Sequence, residues 1–368
     1  MPTAEFRVFL NNEGIKEALL DRFQEIQVDQ AIGMAAEAEL RIDLAVDEGG
    51  FWTDLDEEFA QPMRRARVEI KIDEGDFVPL IDGPVVGQRM SFSASPGQSS
   101  LTLIVQDDTV LLNQEERVQV FEDTPAHQIA RTLMQAAGLA AQVDVTPEAA
   151  SRLERYTVQR GAAMRLLREL ARRHGMFVYV RPGEAPGTSI GFFKRPDLTP
   201  GDLPELLVMG ADRNVNHLTV EFDALRPTAV AAGSVRIAGK AVLQTEVRVP
   251  SLDPLGDQPV HAIVPPARML LARMREEALD LDSAAQSAVN RSSWAYTARG
   301  EVSVDTYAGV LQPYEVVRVA GVGAYGGDYL VSRVNHTMSF EGYRQQFTLV
   351  RNARLESSSG GAGSPGVF

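Results

Sequence analysis

GGDYLVSRVNHTMSFEGYRQQFTLVRN, residues 326–352, is the stretch whose reading decides the fold. Taken with a period of two, Leu330, Ser332, Val334, His336, Met338 and Phe340 share one face, and Tyr329, Val331, Arg333, Asn335 and Thr337 the other. Glu341-Gly342 supplies a turn, and the chain returns with Tyr343, Gln345, Phe347 and Leu349 on one face, which predicts a β-hairpin. The stretch also holds His336, one of five histidines, close to Arg333, Tyr329 and Glu341, which invites an active-site reading. His336 lies mid-strand among apolar neighbours with no nucleophile or metal partner in the pattern. It is expected to be a packing and hydrogen-bonding residue.

The same period runs through residues 5–113. FRVFL, FQEIQVDQ, ARVEIKID, PLIDGPVVGQRMSFS and SSLTLIVQ read as strands, and in AEAELRIDLAV the set Ala36, Ala38, Leu40, Ile42, Leu44 opposes Glu37, Glu39, Arg41, Asp43. Six or seven antiparallel strands with Gly, Asp and Pro turns are enough for a small barrel or sandwich. FWTDLDEEFAQPMRR between them reads as a loop with at most one helical turn, and Gly83 and Gly87 inside strand pattern suggest bends at a corner.

Beyond residue 114 the period changes. Thr124-Pro125 predicts a helix start, and Ile129, Leu133, Ala136 and Ala137 form its apolar face up to Gly138. After the short strand AQVDV, Met164, Leu167, Leu170, Ala171 and His174 recur at helical spacing, Gly175 stops the helix, and MFVYV leaves as a strand. This is an inserted α/β unit reaching about residue 200. Strands return in HLTVEFDA, TAVAAGSVRIA and AVLQTEVRV, give way to helices expected at 266–279 and 282–291, and resume in WAYTARGEVSVDTY and YEVVRVAG. One architectural idea is used twice, although no fixed short repeat is visible. The closing SSSGGAGSPGVF is a flexible tail by composition.

Composition excludes several chemistries. The 368 residues contain no cysteine, which removes disulfides, thiolate metal sites and cysteine nucleophiles. A formal charge of -14 argues against a surface that grips nucleic-acid phosphates, while fitting a passage to which DNA does not stick. No apolar run approaches the length of a membrane span, and MPTAEFRVFLNN has no secretory pattern, so no membrane insertion is expected and synthesis is assigned to the cytoplasm. His127, His174, His217, His261 and His336 show no helical metal spacing and no HExxH. GVGAYGG, residues 321–327, precedes a strand, which suits a turn and not a phosphate loop. Asp56, Glu57 and Glu58, and Asp107 with Asp108, sit in polar runs where chance explains the pairing. Arg165, Arg168, Arg172 and Arg173 oppose the apolar stripe of their helix, as a solvated face with a Glu169–Arg173 pair or as a docking face for an acidic neighbour. The expectation is a non-enzyme with no catalytic, cofactor-binding or metal-binding residues and no cofactor.

Three segments in order resemble the late control D family of phage tail hub proteins, baseplate hubs of contractile tails and contractile injection systems, akin to the N-terminal hub part of VgrG. They are FRVFLNNEGIKEALLDRFQEIQVDQAIGMAAEAELRIDL, RYTVQRGAAMRLLRELARRHGMFVYV, and LQPYEVVRVAGVGAYGGDYLVSRVNHTMSFEGYRQQFTLVRN with its G-x-Y-x-V-x-x-V-x-H, G-Y and F-x-L-x-R-N. The resemblance implies mixed β with α/β insertions: two tail-tube-like antiparallel β-barrels per chain, each associated with a smaller helical or α/β subdomain. It places the first barrel at 1–113, an α/β insertion domain at 114–200, the second barrel at 201–250 and 292–354, a helical insertion at 251–291 and the tail at 355–368. It further implies a structural virion component, a homotrimer that joins the hexameric tail tube, or a tube-initiator protein, to a trimeric spike through pseudo-sixfold symmetry. The spike is expected as a separate polypeptide, with the tape measure and baseplate wedge proteins as further neighbours and no specific nucleic-acid binding. Assembly is expected in the bacterial cytoplasm and residence on the particle axis. The competing readings are a tail-associated peptidoglycan hydrolase and a peripheral receptor- or glycan-binding baseplate protein.

Overall fold

The structure is a computed structural model that describes residues 3–53, 61–95, 97–146, 156–236, 240–272 and 278–356. Asp56, Glu57, Glu58 and most of the C-terminal tail lie outside the described residues.

The first segment gives β1 (Ala4–Leu10), β2 (Glu13–Gly14), the one-turn α1 (Glu17–Leu20), β3 (Phe23–Ala31), β4 (Glu37–Leu44), β5 (Arg65–Ile72), β6 (Val78–Ser91) and β7 (Ser99–Gln106). In β4 the alternation expected from sequence holds: Ala38, Leu40, Ile42 and Leu44 are buried in a core with Val28, Val68, Ile70, Leu80 and Leu103. The strand β6 is long because it serves two partners. Its first half pairs with β5, its second with β7, and a bulge falls between Val85 and Gly87 where it changes sides. Gly83 lies at this crossing, where a Cβ would stand 1.8 Å from the carbonyl oxygen of Gln106. The corner therefore requires glycine for close backbone approach.

Next come β8 (Glu116–Glu122), α2 (Ala126–Ala136), β9 (Ala140–Val143), β10 (Tyr156–Ala162), α3 (Ala163–His174), β11 (Phe177–Pro182) and β12 (Ser189–Lys194). The three-stranded sheet β11-β12-β9 and both helices enclose one core around Ile129, Leu133, Met134, Leu167, Leu170 and Phe193. Gly175 caps α3 at φ 66, the left-handed conformation that ends a helix with least strain in glycine. The α2 helix starts one residue later than the Thr124-Pro125 pattern suggested. Pro125 is itself the extended N-cap residue, and Thr124 donates its hydroxyl to the Glu122 carbonyl instead.

The last segment holds β13 (Leu206–Leu207), β14 (Leu218–Phe222), β15 (Thr228–Arg236), β16 (Ala241–Val247), β17 (Gln258–Pro259), α4 (Val260–Ile263), β18 (Ala267–Ala272), α5 (Ala278–Ser292), β19 (Tyr296–Ser303), β20 (Val316–Ala320), β21 (Gly327–Ser339), β22 (Gly342–Arg351) and β23 (Ala353–Arg354). Two expectations need correction here. Residues 267–272, expected as part of a helix, form β18 parallel to β15, so among the described residues of this stretch the helix is α5. β15 and β16, grouped by sequence with the second β region, form with β18 a separate three-stranded sheet, β16-β15-β18, whose Val230 and Ala232 pack on Leu281, Ala285 and Val289 of α5. Short apolar runs such as ARMLLA suit either a buried strand or a helix, and the partner strand decided.

The main sheet runs β14-β19-β22-β21-β3-β4-β7-β6-β5-β1-β2, with β20 and β13 joined off β21, and the pairings within it are antiparallel apart from β13 with β20. The molecule is thus mostly antiparallel β with few helices, and among the described residues the sheet path does not close on itself. Two halves of like topology meet in it. Order β3-β4-β7-β6, with β5 on the first half of β6, is repeated as β14-β19-β22-β21, with β20 on the first half of β21. β21, like β6, carries a bulge near its middle, between Val331 and Arg333. That bulge corrects the uniform alternation read from the sequence: Tyr329 and Val331 point into the same core as Val334 and Phe347, since the extra residue at Ser332 shifts the face by one.

Candidate assembly surface

The two halves join along β3 and β21, which pair over seven residues from Arg333↔Ala31 to Ser339↔Glu25. One face of the resulting eight strands is the double core. The other face is mainly polar beside the junction, where β3, β4, β21 and β22 alternate, while Ile104, Leu330 and Val350 also lie on it. Its acidic groups are Glu25, Asp29, Glu37, Glu39, Asp43, Glu221 and Glu301, its basic groups Arg41, Arg89, Arg299, Arg333 and Arg344, and none of these strands carries a lysine.

Cross-strand pairing neutralises much of that charge. Arg333 grips Asp29 across the junction with two bonds of 2.8 and 2.7 Å, and Arg299 donates to Glu221 at 2.8 Å. Arg89 meets Glu39 at 3.3 Å. Gln106 and Gln346 donate to Glu37 and Glu301 at 2.9 and 3.0 Å. Each exposed pair contributes little to stability, so the row matters for surface character: it leaves few free guanidinium groups to hold a phosphate.

Beneath the junction lies His336, fully buried. Its Nδ1 sits 2.8 Å from the Tyr343 hydroxyl and its Nε2 3.2 Å from Gln30 Oε1, while Gln30 Nε2 donates to the Leu80 carbonyl at 2.6 Å. Nδ1 accepts and Nε2–H donates, so the ring is neutral, and burial lowers its pKa to about 3. The network ties β21, β22, β3 and β6, which is the packing and hydrogen-bonding role expected of this residue. Gln345 does similar work, with Oε1 accepting from the Leu311 amide at 2.8 Å and Nε2 donating to the Gly309 carbonyl at 2.7 Å.

The other histidines stay apart. His127 Nδ1 bonds Thr146 within the α/β unit, His217 reaches the Thr219 hydroxyl, His261 reaches the Thr228 carbonyl, and His174 ends α3. GVGAYGG is the turn expected, entering β21 through a single 3-10 turn, Gly323–Tyr325. On α3, Arg173 and Glu169 approach to 3.7 Å, and the Arg172 carbonyl accepts from Ser287 and Arg291 of α5. Asp107 and Asp108 are not solvated loop carboxylates. Both are buried in the 3-10 turn Asp108–Leu112 and its cap: Asp107 accepts from the Ala36 and Thr109 amides, and burial raises its pKa to about 6.

Sequence reasoning missed the buried ion cluster around that turn. Arg65 bridges Asp82 (2.7 Å) and Asp108 (2.9 Å), Arg67 bonds Glu69 (2.6 Å) and Asp82 (3.2 Å), and Arg67 also donates to the carbonyls of Gly183, Glu184 and Ala185. It thereby locks β5 and β6 to the β11–β12 turn. The Arg351-Asn352 pair has a comparable role: Arg351 donates to the Leu255 and Gly326 carbonyls, and Asn352 holds the Leu255 amide and the Asp253 carbonyl. Alternation hid both: Arg65, Arg67 and Glu69 fall on the polar side of β5, which reads as solvated, and Arg351 continues the core face of Phe347 and Leu349.

Among the described residues no helix is long and apolar enough to cross a membrane. The family known as the Alg8 N-terminal domain matches residues 2–339. The chain belongs to that family. No curated protein matches this family member in sequence. Among solved structures it is similar to the prophage MuSo2 43 kDa tail protein from Shewanella oneidensis, at 14% identity and TM-score 0.65, over 95% of this chain and 99% of that one. The tail protein from Neisseria meningitidis MC58 is similar at 14% identity and TM-score 0.67, over 95% and 97%. A lidless PdpA–VgrG complex matches at 7% identity and TM-score 0.52, over 100% of this chain and 67% of that one. The fold of the Alg8 N-terminal domain chain is therefore that of phage tail proteins, in agreement with the tail hub resemblance read from its sequence.

Proposed function

We propose that the chain is the structural hub of a contractile tail or injection particle, a homotrimer whose two like halves act as two tube-like units. The carrying observation is the repeated topology together with what it leaves open. Within the chain, the outer edge of β3 is covered by β21. By the same topology the outer edge of β14 awaits a strand like β6, and among the described residues the second half of β6 past the bulge, residues 87–91, pairs with β7 alone, whereas Val85 also bonds Met63 and Arg64. Met90 on that open edge is 45% exposed, while Met338 at the equivalent place beside β3 is 2% exposed.

Edge strands with apolar residues are templates for pairing, and a head-to-tail contact between unlike edges closes into a ring. Eight strands per chain, from β14 to β6, then give twenty-four in three chains, with the ion-paired polar face lining the passage and the cores outside. Six near-equivalent units let a threefold object meet a sixfold tube on one side and a threefold spike on the other. In this reading residues 1–113 form one unit, 114–200 an accessory α/β domain, and 201–354 the second unit interrupted by the insertion of β15 to α5. The role is mechanical, without catalysis, on the axis of the particle. Light scattering behind size exclusion tests it: a trimer is expected, and a chain that remains monomeric at micromolar concentration in the presence of its spike and tube partners would refute it.

A further inference from the structure

Between α3, α5 and the start of β11 lies a groove of about 260 Å³. Its floor is apolar, with Met176, Val178 and Trp294 buried and Leu252 half-buried. Its rim is cationic: Arg168 and Arg172, one turn apart on α3, and Arg291 near the end of α5, are all exposed. Among the described residues no carboxylate lines the groove, in a chain whose formal charge is -14.

Neither Arg168 nor Arg172 has a side-chain hydrogen bond or ion pair among the described residues, since Glu169, the acidic residue of α3, approaches Arg173 at 3.7 Å. The helix dipole favours cations within the last turn, which accounts for Arg172 and not for Arg168 a turn earlier. Like charges at i and i+4 repel, so the pair costs stability in the free chain. Arg291 donates to the Arg172 carbonyl at 2.7 Å, which brings a third guanidinium to the same rim. Trp294, 8% exposed, has no hydrogen-bond partner for its indole N–H among the described residues, although a buried indole normally finds one.

We propose that this groove docks a segment of another protein in which carboxylates flank one large apolar side chain. The apolar side chain packs on Met176 and Trp294, and the carboxylates meet Arg168 and Arg172. Size argues against a small-molecule site, which typically encloses about 300–1,000 Å³. A single strand of nucleic acid takes a longer basic track with exposed aromatic faces, and here the one indole is buried. The groove is formed within one chain, so its occupancy is independent of the oligomer and of the hub role proposed above.

The test uses the full chain and a short fluorescein-labelled peptide in which glutamates flank a central phenylalanine. Its controls are the same peptide with glutamine for glutamate, the same peptide with serine for phenylalanine, and a labelled single-stranded oligonucleotide of equal charge. Fluorescence anisotropy reports binding, and circular dichroism reports the fold. The acidic peptide should bind with a dissociation constant of about 1–100 μM that rises with salt. Arg168→Glu and Arg172→Glu should each weaken it about tenfold or more with wild-type circular dichroism, and both peptide controls should bind at least about tenfold more weakly than the acidic peptide. Should charge reversal disturb the helix, Arg168→Gln with Arg172→Gln makes the same comparison. No binding of the acidic peptide at ~1 mM, or equal binding to the double variant, overturns the docking surface. Equal binding of the glutamine peptide removes the charge pairing, equal binding of the serine peptide removes the apolar anchor, and either result overturns the assignment. An oligonucleotide that binds as tightly as the acidic peptide overturns it in favour of nucleic acid.

Discussion

His336→Leu separates two effects that the junction network combines. Leucine fills much of the volume but leaves the Tyr343 hydroxyl, which is buried, and Gln30 Oε1, which is half-buried, without their ring partner. Each orphaned group costs about 1–3 kcal/mol, so the variant should be less stable at pH ~8, where the ring is neutral in folded and unfolded chains alike. The pH dependence then moves the other way. In the wild type the folded pKa is lowered to about 3 from 6.5, so the unfolded chain binds a proton that the folded chain refuses. Stability contributed by the neutral ring is complete above pH 6.5 and is lost as pH falls toward the folded value. At about 1.36 kcal/mol per unit, the loss between pH ~8 and pH ~5 is about 2 kcal/mol. Leucine cannot titrate, so this part vanishes in the variant. Asp107 acts oppositely in the same window, because its raised pKa makes the folded chain bind the proton more tightly, but that contribution is common to both proteins and cancels in the difference. Urea unfolding at the two pH values, followed by far-UV circular dichroism, measures it. The gap between variant and wild type should shrink by about 2 kcal/mol on acidification. A gap that stays constant within ~0.5 kcal/mol refutes the argument that a neutral buried imidazole holds the junction.

Gly83→Ala forces a Cβ to within 1.8 Å of the Gln106 carbonyl oxygen, which no rotamer relieves, so destabilisation of about 3 kcal/mol or more is expected; an unchanged thermal midpoint would contradict it. Val86→Lys with Met90→Lys places two charges on the open half of β6 without touching the core, and should give a folded monomer with wild-type circular dichroism in place of a trimer. Arg351→Met frees the Leu255 and Gly326 carbonyls, and a loss of about 2–4 kcal/mol is expected, with protease cleavage appearing first near residues 252–257 as the insertion loop detaches; wild-type protease resistance would count against that role.

Alternation along β4 and β22, the glycine cap of α3 and the turn at GVGAYGG were all legible without a structure, since each depends on neighbours in sequence. The bulge at Ser332 was not: a strand takes an extra residue only to satisfy two partners at once, and β20 and β3 are distant in the chain. The strand at 267–272 escaped for a related reason, as its apolar run becomes a strand only when β15 offers a parallel edge. The buried arginines are a third case, because carboxylates and carbonyls many residues away make their burial tolerable. Period, caps and turns are local free energies, and by themselves they determined a double β protein with an α/β insertion. Which strands share an edge, which edges stay open and which charges meet are decided by contacts between remote segments, and only the tertiary structure holds those.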